Sequence, residues 1–129
     1  MKCIAIDYGV KNVGIATGES NHGLAFPKVV LLNSPRLLSQ IQELVKQENI
    51  ELIILGESYN FKGEDNPIMK KIFSFKKDLE ETLKLPVFLE PEFMTSAEAE
   101  RLQGKNDMLD ASAAALILKS YFDKNTIKP

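Results

Sequence analysis

Apolar positions fall into two rhythms along the chain. Short, nearly unbroken apolar runs occupy Lys2–Ile6, Val13–Thr17, Leu24–Leu32, Glu51–Leu55 and Val87–Leu89. Runs of this length, bounded by turn residues, predict buried strands. The first two are joined by Asp7-Tyr8-Gly9-Val10-Lys11-Asn12 and read as a hairpin. Both are apolar throughout, which predicts burial on both faces. Pro27 cannot donate to a ladder, so the third strand is expected at an edge or with a bulge.

Helical spacing fills the gaps. Ser34-Pro35 is a cap followed by a first-turn proline, and Leu37, Leu38, Ile41, Leu44 and Val45 continue it until Asn49. Tyr59–Asp65 is turn-rich. Asn66-Pro67 repeats the device and opens a helix to about Lys84, with a core stripe of Ile68, Ile72, Phe75, Leu79 and Leu83. Lys70, Lys71, Lys76 and Lys77 crowd its first half and Asp78, Glu80 and Glu81 its second, against the helix dipole. A solvated face with pairs such as Lys77–Glu81 is the expected role, and a phosphate-binding patch is the alternative. Thr95-Ser96-Ala97-Glu98 is a capping box opening a short helix to about Gln103. Gly104-Lys105-Asn106 breaks it, and a last helix runs from Asp107 to about Phe122. Its alanine-rich inner face, Ala111, Ala113, Ala114 and Ala115 around Leu116, Ile117 and Tyr121, suits close approach to a sheet. The residues from about 124 to 129 read as a frayed tail. The pattern predicts one α/β domain over 1–129, with a strand–helix–strand unit and a parallel crossover leading into the fourth strand.

Composition narrows the class. At 129 residues and 44% hydrophobic, the chain can bury a proper core. No run approaches the ~20 apolar residues that span a bilayer, and the N-terminus lacks a signal-peptide pattern, so a cytoplasmic location is expected. The lone Cys3 sits inside the first strand and reads as a small buried hydrophobe. His22 is a lone loop histidine. A net charge of −2 argues against gripping nucleic acid by overall positive charge, so such binding needs a local patch.

Acids stand where strands end. Asp7 follows the first strand, Glu57 the fourth and Glu92 the fifth; Asp107 and Asp110 share the first turn of the last helix. If the first, fourth and fifth strands are parallel, their ends lie along one rim, where ligands bind in open α/β sheets. Clustered carboxylates stay ionised when cations compensate them. Oxygen ligands without His or Cys suit Mg²⁺ or Mn²⁺, and two such ions can clamp a phosphodiester. Each acid has a bland alternative. Asp107 suits the helix dipole, Glu57 fits a surface loop, and only one of Glu90 and Glu92, around Pro91, is expected to face the site.

The order of these motifs resembles the RuvX/YqgF family of Holliday junction resolvase-like proteins in the ribonuclease H superfamily. Asp7-Tyr8-Gly9-Val10-Lys11-Asn12-Val13-Gly14-Ile15-Ala16 is similar to the family's D-[YF]-G-x-[KR]-x-[IV]-G-[VI]-A. The run from Asp110 to Tyr121 is similar to D-x-x-A-A-x-x-I-L-x-x-[YF], and Glu92 with Thr95-Ser96-Ala97-Glu98-Ala99 resembles D-E-R-x-[ST]-[ST]-x-x-A. Two departures stand out. Gly56-Glu57-Ser58 replaces the usual G-L-P, near where the related resolvase RuvC places a catalytic Glu. Pro91-Glu92-Phe93 replaces D-E-R, so the family's Arg is missing.

The resemblance implies a mixed five-stranded sheet, with the first three strands antiparallel and the fourth and fifth parallel to the first. It implies a Mg²⁺- or Mn²⁺-dependent nuclease acting on the 5′ end of precursor 16S rRNA or on branched DNA. Asp7, Glu92 and Asp110 would hold the ions, with Glu57 as a fourth ligand, and Lys11 and Lys105 would contact phosphate. A junction resolvase would act as a homodimer, although no dimer face is legible. Two rival readings remain. One is a non-catalytic RNA- or protein-binding module, which would not bind Mn²⁺. The other is an ATP-binding protein of the actin and sugar-kinase type, since Asp7, Gly9 and Gly14 also satisfy D-x-G-x-x-x-x-G; a thermal shift with ATP–Mg²⁺ but not with metal alone would favour it.

Overall fold

The computed structural model describes residues 1–59, 67–93 and 109–125, with the backbone alone for 58, 59, 92, 93, 109 and 110. Within them lie β1 (Lys2–Tyr8), β2 (Asn12–Glu19), β3 (Leu24–Leu32), α1 (Leu37–Gln47), β4 (Leu52–Tyr59), α2 (Met69–Leu83), β5 (Val87–Phe93) and α3 (Leu109–Asn125). The expected capping-box helix, Asp107 and residues 126–129 lie outside the described residues, while Lys124 and Asn125, expected to fray, belong to the last turn of α3. The strands form one sheet in the order β3-β2-β1-β4-β5. β1–β2 and β2–β3 are antiparallel, while β1–β4 and β4–β5 are parallel, as the sequence implied.

Strand alternation sorts the apolar residues into two cores. Ile4, Ile6, Val13, Ile15, Ile53 and Leu55 face Leu37 and Ile41 of α1 and Met69, Ile72, Phe75 and Leu79 of α2. Cys3, Ala5, Ala16, Leu52 and Ile54 face Ala114, Ile117, Leu118 and Phe122 of α3. The molecule is therefore three layers, with β1 buried on both sides. The α3 side holds small residues because the helix lies close: a Cβ on Gly18 would stand 3.0 Å from Leu118 Cδ2 and 3.1 Å from Phe122 Cε2. Both prolines in strands are on edges. Pro27 is in β3, where the register slips between Ile15 and Ala16, and Pro91 is in β5.

Several boundaries move. β1, β4 and β5 run on past their apolar stretches, so Asp7, Glu57 and Glu92 lie within strands rather than after them. The ladder continues because backbone groups pair whatever the side chains are: Ser58 stands opposite Glu92 and Tyr59 opposite Phe93. α1 starts at Leu37 instead of Pro35. Ser34 closes a preceding turn, its Oγ accepting from the Arg36 N–H at 3.2 Å. Asn49 does end α1, at φ 56°, with the Ile50 N–H on the Val45 carbonyl and the Asn49 N–H on that of Lys46. α2 starts at Met69, two residues past Pro67, without a side-chain cap. Its ion pair is Lys76–Glu80 at 2.9 Å, one position before the expected Lys77–Glu81. Leu116 is exposed, so the inner face of α3 turns through Ala113, Ala114, Ile117 and Leu118 instead.

Burial pushes the Cys3 thiol up to about 11 from 9.0. The folded chain therefore holds the neutral thiol, and a thiol reagent at pH 8 should label Cys3 only after unfolding. Stability should fall as pH rises from about 9 towards 11, because the unfolded chain releases that proton first. Rapid labelling of the native protein would refute a central β1.

Candidate active site

Asp7 takes its direction from the residues around it. Ile4 and Ile6 point to the α1/α2 core, and Tyr8 continues the series, its ring 4.9 Å from that of Phe75 in α2. Asp7 falls in the opposite phase, with Cys3 and Ala5, on the α3 side. It is partly buried. Its antiparallel partner is Gly14. On the other flank, β1–β4 pairing reaches Ile6–Leu55, and the next position on β4 is Gly56. Glycines therefore stand opposite Asp7 on both neighbouring strands.

The loop after Asp7 is fixed from a distance. Asn33, just past β3, donates from Nδ2 to the Gly9 carbonyl at 2.8 Å and from its backbone N–H to the Lys11 carbonyl at 2.9 Å. Gly9 has no room for a side chain, since a Cβ would stand 2.4 Å from the Asn12 carbonyl oxygen. Lys11 is exposed in this loop, beside the rim.

The other acids separate by strand phase. Gly56 pairs with Glu90 and Ser58 with Glu92, so Glu90 and Glu92 share the phase of Asp7. Glu57, opposite Pro91, is in phase with Ile53 and Leu55 and belongs to the α1/α2 side. The register thus sets Asp7 and Glu92 on one face of the rim and Glu57 on the other. By strand spacing, the Cα atoms of Asp7 and Glu92 are roughly 12 Å apart, two strands across and two residues along. Asp110 is the second residue of α3, the helix covering that same face.

Glu90 has a separate role that local sequence gave no means of finding. It is 3% exposed, and its Oε2 accepts from Ser120 Oγ at 2.9 Å and from Lys124 Nζ at 2.6 Å. Those partners lie 30 and 34 residues away. The pair clamps β5 to the far end of α3, away from Asp110. Lys105 and Asp107 lie outside the described residues. Among the described side chains, no group of three His, Cys, Asp or Glu stands together as a metal site.

A mixed five-stranded sheet in the order β3-β2-β1-β4-β5, with helices on both faces, is the ribonuclease H-like fold. The chain belongs to the RuvX family: the family model, described as Holliday junction resolvase, matches residues 1–124. Members are hydrolases of phosphodiester bonds. A relative from Lawsonia intracellularis, named "Putative pre-16S rRNA nuclease", is 32% identical across 97% of this chain and 95% of its own. One of the same name from Bacillus subtilis is 30% identical across 95% and 98%. Among solved structures, the fowlpox virus Holliday junction resolvase superposes with a TM-score of 0.61 at 17% identity, over 96% of this chain and 99% of that one. Thermus thermophilus RuvC in complex with a Holliday junction substrate gives 0.60 at 16%, over 100% and 99%. At such identities these two likenesses establish the fold.

The Glu90 clamp yields a prediction. Lys124→Met should destabilise by about 1–2 kcal/mol in urea unfolding, less than a fully buried pair because Lys124 is 56% exposed. Glu90→Gln should also lose stability yet keep cleavage. Loss of cleavage at full stability would instead place Glu90 in the active site.

Proposed function

We propose that the chain is a Mg²⁺- or Mn²⁺-dependent endonuclease that processes the 5′ end of precursor 16S rRNA in the cytoplasm. The observation that carries it is the position of Asp7, on the α3 face of the rim between Gly14 and Gly56, in phase with Glu92 and under the helix that bears Asp110. The donor set suits a hard divalent ion, because these elements bring carboxylates without His or Cys. The names of the curated relatives favour RNA over branched DNA, being attached to chains at least 30% identical.

Asp7, Glu92 and Asp110 would hold the ions. Once bound, the ions supply an activated water and stabilise the departing oxygen. No protein nucleophile is required. Lys11, exposed beside Asp7, contacts substrate phosphate, as does Lys105 before α3. Glu57, on the opposite side of the pleat, lies outside the set of three.

Asp7→Asn should abolish Mn²⁺ binding by calorimetry and lower Mn²⁺-dependent cleavage of a precursor 16S rRNA fragment more than about a hundredfold, with the melting temperature retained. Glu57→Gln should stay within about threefold of the parent. Unchanged cleavage in Asp7→Asn would reject the site. Preference for a four-way DNA junction over the RNA would reject the substrate and leave the site standing.

A further inference from the structure

The outward face of α2 is unusual for a helix that only covers a core. No acid stands in its first turn, so the lysines of its first half add to the positive end of the dipole. Lys76 is engaged by Glu80 at 2.9 Å. Among the described residues, no ion pair or hydrogen bond engages the ammonium groups of Lys70, Lys71 or Lys77. Phe73, in their midst, is 47% exposed. It lies three residues after Lys70 and four before Lys77, so the three side chains form one ridge along the helix. The ridge spans roughly 10 Å from Lys70 to Lys77. Glu81, one turn further, marks where the basic stretch ends.

Location matters as much as charge. Met69, Ile72, Phe75 and Leu79 face the sheet, and Phe75 packs on Tyr8, the residue after Asp7. The ridge is thus the outer side of a helix packed on the sheet face opposite to Asp7. Neither the crowded lysines nor the exposed ring stabilises α2. Both suit a strand of nucleic acid, with ammonium groups on phosphates and the ring against an unpaired base. On a chain of net charge −2, such a local concentration of cations is what a polyanionic substrate requires.

We propose that the Lys70–Phe73–Lys77 ridge, with Lys71 beside it, docks a single-stranded segment of the substrate on the sheet face opposite to the acids. The inference rests on the nuclease reading and adds to it where the substrate lies. Binding is measured by fluorescence anisotropy in the Asp7→Asn background without metal, using labelled RNA and DNA strands of about twelve nucleotides. Lys70→Gln/Lys71→Gln/Lys77→Gln should weaken binding at least about tenfold and reduce the slope of log affinity against log salt by about 2, from three lost phosphate contacts. Phe73→Ala should weaken binding about tenfold with the slope unchanged, and Phe73→Tyr should restore it. Lys76→Gln should change neither quantity. Parent affinity and slope in the triple variant, while the wild-type protein cleaves, would overturn the ridge and leave the nuclease reading intact. A wild-type protein that neither binds nor cleaves would overturn both. Losses confined to a fully paired duplex would overturn the single-stranded occupant.

Discussion

A seven-residue strand buried on both faces is the constraint on which the rest depends. β1 gives Ile4 and Ile6 to the core under α1 and α2, and Cys3 and Ala5 to the core under α3. With period two, no third arrangement exists, and a slip of one residue would exchange the two faces completely. The large residues lie on the side where two helices fill the space, and the small ones on the side where α3 comes close. That difference in size fixes the phase. Once Cys3 and Ala5 are committed to α3, Asp7 follows them, and its carboxylate arrives under the helix that carries Asp110. The site is thus a continuation of the core packing, displaced two residues toward the rim.

Charge is divided over the molecule to match. Asp7, Glu57 and Glu92 stand near the rim ends of β1, β4 and β5. The lysines stand elsewhere. Lys11 stands on the loop after Asp7, and the α2 lysines stand on the neighbouring helix. A chain with net charge −2 can therefore present a positive approach to a negative centre. The absent Arg, replaced by Phe93 after Glu92, leaves β5 without the cation that the family motif provides.

The sequence disclosed strands wherever apolar side chains marked them, and failed where only the backbone did. β3 was legible from end to end, Pro27 included. β4 and β5 were cut short at Leu55 and Leu89, because Gly56, Glu57, Glu90 and Pro91 carry no strand pattern of their own. Pairing between the two strands holds them extended nevertheless. Asp7 was legible because a carboxylate ending a buried strand lacks an ordinary explanation. The Glu90 clamp and the Asn33 brace were not, since each joins residues at least 24 apart in sequence. Phe73 escaped notice for another reason: at helical spacing it borders the core stripe, and only its exposure sets it apart.

Gly56 and Glu57 show how far a one-residue offset can matter. A carboxylate at position 56 would be in phase with Asp7 and Glu90. Glycine occupies that position, and the acid comes one residue later. For Glu57 to turn toward Asp7, the pleat of β4 would have to break near its end. It does not: pairing with β5 runs through Glu57–Pro91, Ser58–Glu92 and Tyr59–Phe93 without a bulge. The offset therefore sets Glu57 with Ile53 and Leu55 on the α1/α2 side of β4.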